Sequence, residues 1–369
     1  MSESAVKAPG ALSIGMIGLD TSHAVAFTRL LHDADHPHHV PGGRVVCAWP
    51  GGSPDFELSI SRVERFTREM AEEFGVRIVE TPEQVAERCD AVMLEAADGR
   101  AHLELFRRIA PYGKPVFVDK PLAAGVRDAE EILRLAERYG VPIMSCSALR
   151  FAGGLASAGG CGGETVRCVG GEPAADAGAD AAALSDVGGG ADANALSDAC
   201  SSGLSADEWS DVGTFGVPSD GSPVVGADVF GPMPFQPPLP GYFWYGIHAV
   251  EMLYAIIGPG CEQVSATAVE DHDLIVGTWA DGRIGTVRGK RAGFDAFGAL
   301  IHRADRIDFV EAPADLMPLY AAMLRRVLEM FRTGRPAVGA EETLEIIRFL
   351  EAANASRVSG GKIIRIGMV

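Results

Sequence analysis

Lys120 occupies a position in the sequence that suits proton transfer. The apolar run Val116–Val118 stops at Asp119-Lys120-Pro121, and a helical pattern follows directly. In an open α/β sheet such a junction lies at the carboxyl end of a strand, where these sheets bind their ligands. We therefore consider Lys120 a candidate proton donor or acceptor. A surface lysine in a loop is the alternative interpretation.

Residues 14–23 read IGMIGLDTSH and stand between a strand pattern and a helix pattern. A Gly-x-Gly-x-x-Gly loop at such a place lets backbone amides approach a pyrophosphate at the helix N-terminus. Gly18 is the one glycine of that pattern present, and Asp20 at the second position would repel a phosphate. We expect Thr21 and Ser22 to begin the helix and to offer their amides to an anion. A plain strand-to-helix turn with a polar cap is the alternative.

The end of the second predicted strand leaves the choice between NAD and NADP open. Dinucleotide-binding folds usually place an acid there for the ribose hydroxyls. Here the segment AWPGGS ends at Ser53, and the first acid is Asp55. Ser53 and the more distant Arg62 would tolerate a 2′-phosphate, which slightly favours NADP. A purely structural role for these residues is about equally consistent with the pattern.

Strand and helix patterns alternate over the first part of the chain. The predicted strands are 12–17, 44–49, 76–79, 91–94, 116–118 and 142–146. Strands that alternate with helices predict a parallel, doubly wound α/β sheet, so we assign residues 1–150 to a Rossmann dinucleotide-binding domain.

The composition changes after this domain. Residues 153–219 are rich in Gly, Ala, Ser and Asp and repeat the tetrapeptide ALSD. A segment with so few large apolar residues predicts a disordered insertion; a corrupted translation of the gene would read the same way. Residues 220–369 then alternate several strands with an apolar helix at 242–257 and two late helices. They predict an α+β domain with a mostly antiparallel open sheet.

Charge and cysteine content exclude several classes of function. The net charge of −18 disfavours nucleic acid and anionic membranes as partners, because phosphate binding needs clustered Lys and Arg. Much of that acidity lies between residues 151 and 240, a segment that contains twelve Asp and Glu residues and one arginine. Seven cysteines without a Cys-x-x-Cys pair indicate a reducing compartment. The N-terminus resembles neither a signal peptide nor a membrane span, so we expect a cytoplasmic protein.

Taken together, these features resemble the glucose–fructose oxidoreductase/inositol dehydrogenase (Gfo/Idh/MocA) family over residues 12–151 and 223–369. The matching segments are the loop ending at Gly18, then AVMLEAADGRAHLELF, GKPVFVDKPLA, LRF and the GIHAVEML helix. Their order and spacing are more specific than any single motif. The resemblance implies a nicotinamide cofactor, NAD or NADP, and hydride transfer at a carbinol carbon of a small sugar or polyol. It also implies a homo-oligomer assembled through the open sheet.

The resemblance assigns roles to particular residues. Lys120 and His248 match the family's catalytic lysine and histidine, and Lys120 would lie at the nicotinamide. The other predicted cofactor contacts are Gly18, Thr21, Ser22, Ser53, Asp98 and His102. Arg150, Tyr245 and Glu251 are the predicted substrate contacts. Asp98 and His102 are equally consistent with a helix start, and Arg150 with a structural salt bridge.

Two departures from the family pattern keep other functions open. Asp20 replaces a glycine, and Trp244 stands where the family has an aspartate before the histidine. A non-catalytic sugar or nucleotide sensor on the same fold is one alternative, and glycoside cleavage through transient NAD oxidation is another. We expect no metal site, because His32, His36, His38 and His39 lack helical spacing and a carboxylate or thiolate frame.

Overall fold

The first half of the chain builds a parallel sheet in the computed structural model, which describes residues 10–152, 155, 222–293 and 295–367. Its strands are β1 (Leu12–Ile17), β2 (Gly43–Trp49), β3 (Arg77–Ile78), β4 (Ala91–Leu94), β5 (Val116–Val118) and β6 (Ile143–Met144). The connecting helices are α1 (Ser22–His32), α2 (Glu57–Glu72), α3 (Pro82–Arg88), α4 (His102–Ile109) and α5 (Val126–Tyr139).

This sheet confirms the doubly wound α/β fold. All neighbouring strands run parallel in the order β3-β2-β1-β4-β5-β6. Every residue of β4 and β5 is buried, as expected for strands covered by helices on both faces. The strand order reverses between β1 and β4, so the carboxyl ends of these strands open the crevice where such sheets bind ligands.

The second half forms a seven-stranded sheet. Its strands are β7 (Val224–Pro232), β8 (Cys261–Ala268), β9 (His272–Trp279), β10 (Ile284–Lys290), β11 (Gly298–Arg303), β12 (Ile307–Glu311) and β13 (Ile364–Arg365). Its helices are α6 (Gly246–Ile257), α7 (Met317–Thr333) and α8 (Ala340–Val358). The order is β12-β11-β7-β10-β9-β8-β13. Only the β7–β10 pair is parallel, so the predicted, mostly antiparallel sheet is confirmed.

Helix α6 connects this sheet to the first domain. Ten of its twelve residues are buried, which explains its nearly unbroken apolar sequence. It packs on β7 and β10 and also contacts the short 3-10 turn Ala148–Phe151 of the first domain. The helix begins four residues later than the sequence pattern predicts, because Gly241–Phe243 forms a separate 3-10 turn.

Two expectations from the sequence concern the rest of the chain. The predicted insertion at 153–219 lies outside the described residues, apart from Leu155. Among the residues that are described, no helix combines the length and the apolar character needed to cross a membrane.

Gly18 allows the turn after β1 to lie directly against the end of β4. Its backbone has φ +93°, and a Cβ atom there would lie 2.4 Å from the backbone nitrogen of Ala96. The Gly18 amide donates to the Trp49 carbonyl on β2, and the Glu95 amide donates to the Ile17 carbonyl on β1. The residue type is therefore dictated by a backbone contact as well as by the backbone angle.

We predict that Gly18→Ala lowers the free energy of unfolding by about 2–4 kcal/mol, because the methyl group meets backbone that cannot rotate away. Gly75→Ala is the matched control: Gly75 also has a positive φ of +66° but no atom within 4 Å of its Cβ position. We expect the control to cost about 1–2 kcal/mol. Equal losses in urea unfolding would show that the contact with Ala96 contributes nothing.

Candidate functional site

A cavity of about 280 Å³ lies at the carboxyl edge of the parallel sheet, between the two domains. Five of the predicted site residues line it: Thr21, Ser22, Lys120, Tyr245 and His248. The first three come from the N-terminal domain, and the other two lie at the start of α6. The fold therefore brings residues that are distant in sequence to one site.

Lys120 follows β5 and lies at the wall of the cavity, with its side chain only 12% exposed. Its Nζ is 3.9 Å from Asp119 Oδ2 and 5.7 Å from the centre of the Trp244 ring. Both the carboxylate and the aromatic face attract a cation. The amine is thus held close to the space that a ligand would fill.

His102 supports the lysine loop from beneath and does not reach the cavity. It is fully buried, and its Nδ1 lies 3.0 Å from the Pro121 carbonyl and 3.1 Å from that of Leu122. Its Nε2 lies 2.8 Å from the Ala96 carbonyl. The ring is thus occupied by backbone carbonyls and fixes the loop that carries Lys120, while a contact between His102 and a cofactor stays a prediction.

His248 lies in the first turn of α6, with Nδ1 2.7 Å from Ser147 Oγ. The rings of Tyr245 and Phe297 flank it, with centroids 5.1 and 5.9 Å away. Burial lowers the pKa of His248 well below its usual value, and the charge of Lys120 acts in the same direction. The imidazole is therefore neutral near neutral pH and can donate one hydrogen bond and accept another.

Three ionisable groups cluster behind Lys120. His23 Nδ1 lies 2.9 Å from Asp119 Oδ2, and Glu95 lies within reach of both. Burial raises the pKa of Asp119, but the charges of His23 and Lys120 outweigh this and hold it well below the usual range. For Glu95, burial and the neighbouring Asp119 together raise the pKa well above its usual value.

Both carboxylate oxygens of Asp20 have hydrogen-bond partners within the protein. Its side chain is buried, with Oδ2 accepting from Ser59 Oγ at 2.5 Å and Oδ1 accepting from the Ala97 amide at 2.9 Å. Burial raises its pKa, which the two hydrogen bonds oppose. Asp20 thus ties the turn after β1 to α2 and to the segment after β4, and its predicted repulsion of a phosphate stays a prediction.

Arg150 and Glu251 pair with each other and do not line the cavity. Arg150 Nη1 donates to Glu251 Oε2 at 2.8 Å, and Arg150 Nη2 donates to Glu342. Both members of the first pair are buried, and burial raises the pKa of Glu251 to about 7 despite the arginine. These side chains pair with one another between α6, α8 and the turn Ala148–Phe151, and their predicted contact with substrate stays a prediction.

Asp98 and Ser53 also lie outside the cavity lining. Asp98 is buried and accepts from Arg100, whose guanidinium also donates to Asp55 at 3.0 Å on both nitrogens. Ser53 hydrogen-bonds to Asp98 through its side chain and to Ser59 Oγ through its amide. Asp98 is thus engaged by Arg100, and the predicted cofactor contacts of Asp98 and Ser53 stay predictions.

Several lining residues were not identified from the sequence: His23, Ser147, Phe297 and Tyr320. His23 stands at the third position of the glycine pattern, which could have flagged it. The other three carry no local motif, because only the packing of α6 and α7 on the first domain brings them to the cavity. Arg62 of α2, considered above as a 2′-phosphate contact, also lines it.

Residues 13–146 match the model of the Gfo/Idh/MocA group, described as an oxidoreductase family with an NAD-binding Rossmann fold. The match confirms the predicted family resemblance and the predicted nicotinamide cofactor class for this domain. A myo-inositol dehydrogenase, Hyg17 from Streptomyces leeuwenhoekii, is 32% identical over 111 residues. That match spans 30% of this chain and 29% of the relative's length.

Solved structures share the fold over the whole chain. A probable dehydrogenase from Thermotoga maritima aligns over 97% of this chain and 100% of its own, with a TM-score of 0.66 and 16% identity. GenD2 from gentamicin A biosynthesis, in complex with NAD, aligns over 100% and 99% with a TM-score of 0.64 and 15% identity. At these identities the likeness establishes the two-domain fold.

We predict that Asp20→Gly lowers the free energy of unfolding by about 2 kcal/mol, although it brings the loop closer to the glycine pattern. The substitution leaves the Ser59 hydroxyl and the Ala97 amide without their acceptor, and an unpaired buried donor costs about 1–3 kcal/mol. Asp35→Gly, on an exposed loop, controls for added backbone freedom. Denaturant unfolding in which both variants match the wild type would contradict this role.

Proposed function

We propose that this chain, which belongs to the Gfo/Idh/MocA oxidoreductase family, transfers a hydride between a nicotinamide dinucleotide and a carbinol carbon of a sugar, polyol or related small molecule. The observation that carries the proposal is the meeting of Lys120 and His248 at one cavity. One group can exchange a proton with a hydroxyl, and the other can hold that hydroxyl in place.

The residues at the N-terminus of α1 fit a dinucleotide. Helix α1 begins at Ser22 and the Thr21 hydroxyl caps the His23 amide at 3.3 Å, so the other amides of the first turn are the ones that would meet a pyrophosphate. Gly18 lets the turn before α1 lie against Ala96, and the Asp20 carboxylate is turned towards Ser59. Arg62 adds a positive charge at the cavity, which favours NADP without excluding NAD. When bound, the dinucleotide supplies the hydride acceptor or donor.

The proton step falls to Lys120. As hydride leaves a carbinol carbon, the hydroxyl proton must be taken up, and an amine at the cavity wall can accept it. His248 is neutral and uses Nδ1 towards Ser147, so Nε2 remains to hydrogen-bond the same hydroxyl.

Trp244 closes the site from the second domain, with its ring 5.8 Å from that of Phe56 and close to Lys120. An aromatic wall excludes water and offers a face for a planar ring.

A small polyol is the substrate class that these contacts favour. The lining offers Ser147, Tyr245, His248 and Lys120 to hydroxyl groups, and the relative Hyg17 is named for an inositol. The replacement of the family's aspartate by Trp244 is the one observation that favours the alternative, a sugar or nucleotide sensor without turnover. The two proposals differ in a single measurable property, the reduction of the dinucleotide by a polyol.

We propose further that the chain forms a homo-oligomer through the outer face of its second sheet. Ile284, Leu300 and Ile307 are 53%, 37% and 48% exposed on the face opposite α6 and α8. Exposed apolar residues on one face are typical of an interface. Leu300→Glu with Ile307→Lys should reduce the mass measured by sedimentation equilibrium to that of a smaller assembly. A monomeric wild type at micromolar concentration would rule the interface out.

We predict that Lys120→Met reduces kcat by about 10²–10⁴-fold, because methionine fills the space of lysine but carries no exchangeable proton. The affinity for the dinucleotide, measured by calorimetry, should stay within about threefold. Lys362→Met, at an exposed position near the C-terminus, is the control and should leave both unchanged. Turnover would be followed as dinucleotide reduction with a panel of inositols and aldoses. If Lys120→Met keeps more than about a tenth of wild-type kcat, Lys120 is not the proton-transfer group.

A further inference from the structure

A fully buried acid lies beside the site, and no described residue donates a hydrogen bond to it. Glu95 follows β4 and Asp119 follows β5, and the preceding residues of the two strands are paired in register, Leu94 with Val118. The two carboxylates therefore emerge side by side at the carboxyl edge of the sheet. His23, in the first turn of α1, covers them, and one ligand atom of each residue lies within 4.8 Å of the other two. The hydride transfer described above makes no use of Glu95.

Glu95 has no hydrogen-bond partner among the described residues. Its side chain is 0% exposed, and neither Oε1 nor Oε2 has a donor within reach. Burying a carboxylate in this way is costly, and buried acids in proteins are normally paired or coordinate a metal. Asp119 is buried as well, but it accepts from His23 at 2.9 Å. Glu95 lies next to an acid and an imidazole, and neither of its oxygens is paired. This arrangement indicates that a positively charged partner of Glu95 is missing.

We propose that His23, Glu95 and Asp119 bind a small divalent cation of the Zn²⁺ or Mn²⁺ type. One imidazole nitrogen and two carboxylate oxygens form a donor set that suits such ions. Two acids supply the negative charge that a divalent ion requires. His23 and Asp119 line the cavity while Glu95 lies behind them, so the cation's remaining coordination positions face the cavity and would take water or a ligand oxygen.

Lys120 provides a test of this site, because its positive charge should weaken the binding of a cation. Its Nζ lies 3.9 Å from Asp119 Oδ2, so its charge competes with a cation for the same carboxylate. Lys120→Met should therefore bind the cation about tenfold more tightly than the wild type. If the three residues only form hydrogen bonds with one another, Lys120→Met should not raise the affinity for a cation.

The experiment titrates chelator-treated full-length protein with Mn²⁺, followed by the electron paramagnetic resonance signal of the free ion, and with Zn²⁺, followed by calorimetry. We expect one site per chain that Glu95→Gln weakens at least tenfold, since even outer-shell substitutions cost about 10–100-fold. Asp228→Asn is the matched control: it removes an acid that pairs with His302 at 2.8 Å and that belongs to no three-residue ligand cluster in the described part of the chain. That variant should bind as the wild type does.

The outcomes separate this proposal from the proposed function. If Glu95→Gln binds Mn²⁺ and Zn²⁺ as tightly as the wild type, or if the wild type binds neither, the cation site is wrong while the role of Lys120 stands. If Lys120→Met loses turnover but gains cation affinity, both hold. Should Glu95→Gln fail to fold, His23→Gln, at a partly exposed position, replaces it and must show the same loss of binding.

Discussion

The site depends on one backbone contact, the approach of Gly18 to Ala96 at the carboxyl edge of the parallel sheet. Because no side chain stands between these two segments, the turn after β1 lies flat against the end of β4. That placement sets the origin of α1 and with it the positions of Thr21, Ser22 and His23. The buried Asp20 carboxylate reinforces the same turn by bonding to Ser59 and to the Ala97 amide. Asp20 therefore departs from the glycine pattern and still stabilises the turn in which that pattern occurs.

A second constraint fixes the C-terminal domain over this edge. Arg150, Glu251 and Glu342 form a buried charged network between the turn Ala148–Phe151, α6 and α8. Removing one partner from such a network leaves an uncompensated charge, which makes the arrangement costly to disturb. The network lies close to the Ser147–His248 pair in sequence and holds the two elements that carry it. Its role is therefore to position His248 rather than to contact a ligand.

The sequence was sufficient to predict the two sheets, because period and burial are local properties of each element. It was also sufficient for Thr21, Ser22, Lys120, Tyr245 and His248, each of which lies at the end or the start of a predicted element and lines the cavity. It did not reveal that Asp98, His102, Arg150 and Glu251 have protein partners and lie outside the cavity lining. A polar side chain in a motif can face a ligand or a buried partner, and here the partners of His102, Arg150 and Glu251 are contributed by distant segments. The cluster of His23, Glu95 and Asp119 was not predicted for the same reason, because its members come from three separate segments of the chain.

The central claim is that the carboxyl edge of the first sheet binds a nicotinamide dinucleotide beside Lys120. Native mass spectrometry of the purified chain, before and after incubation with NAD and with NADP, tests it most directly. We expect one dinucleotide per chain, lost when Gly18→Ala moves the turn after β1. Failure of either dinucleotide to bind the folded wild-type protein at millimolar concentration would contradict it.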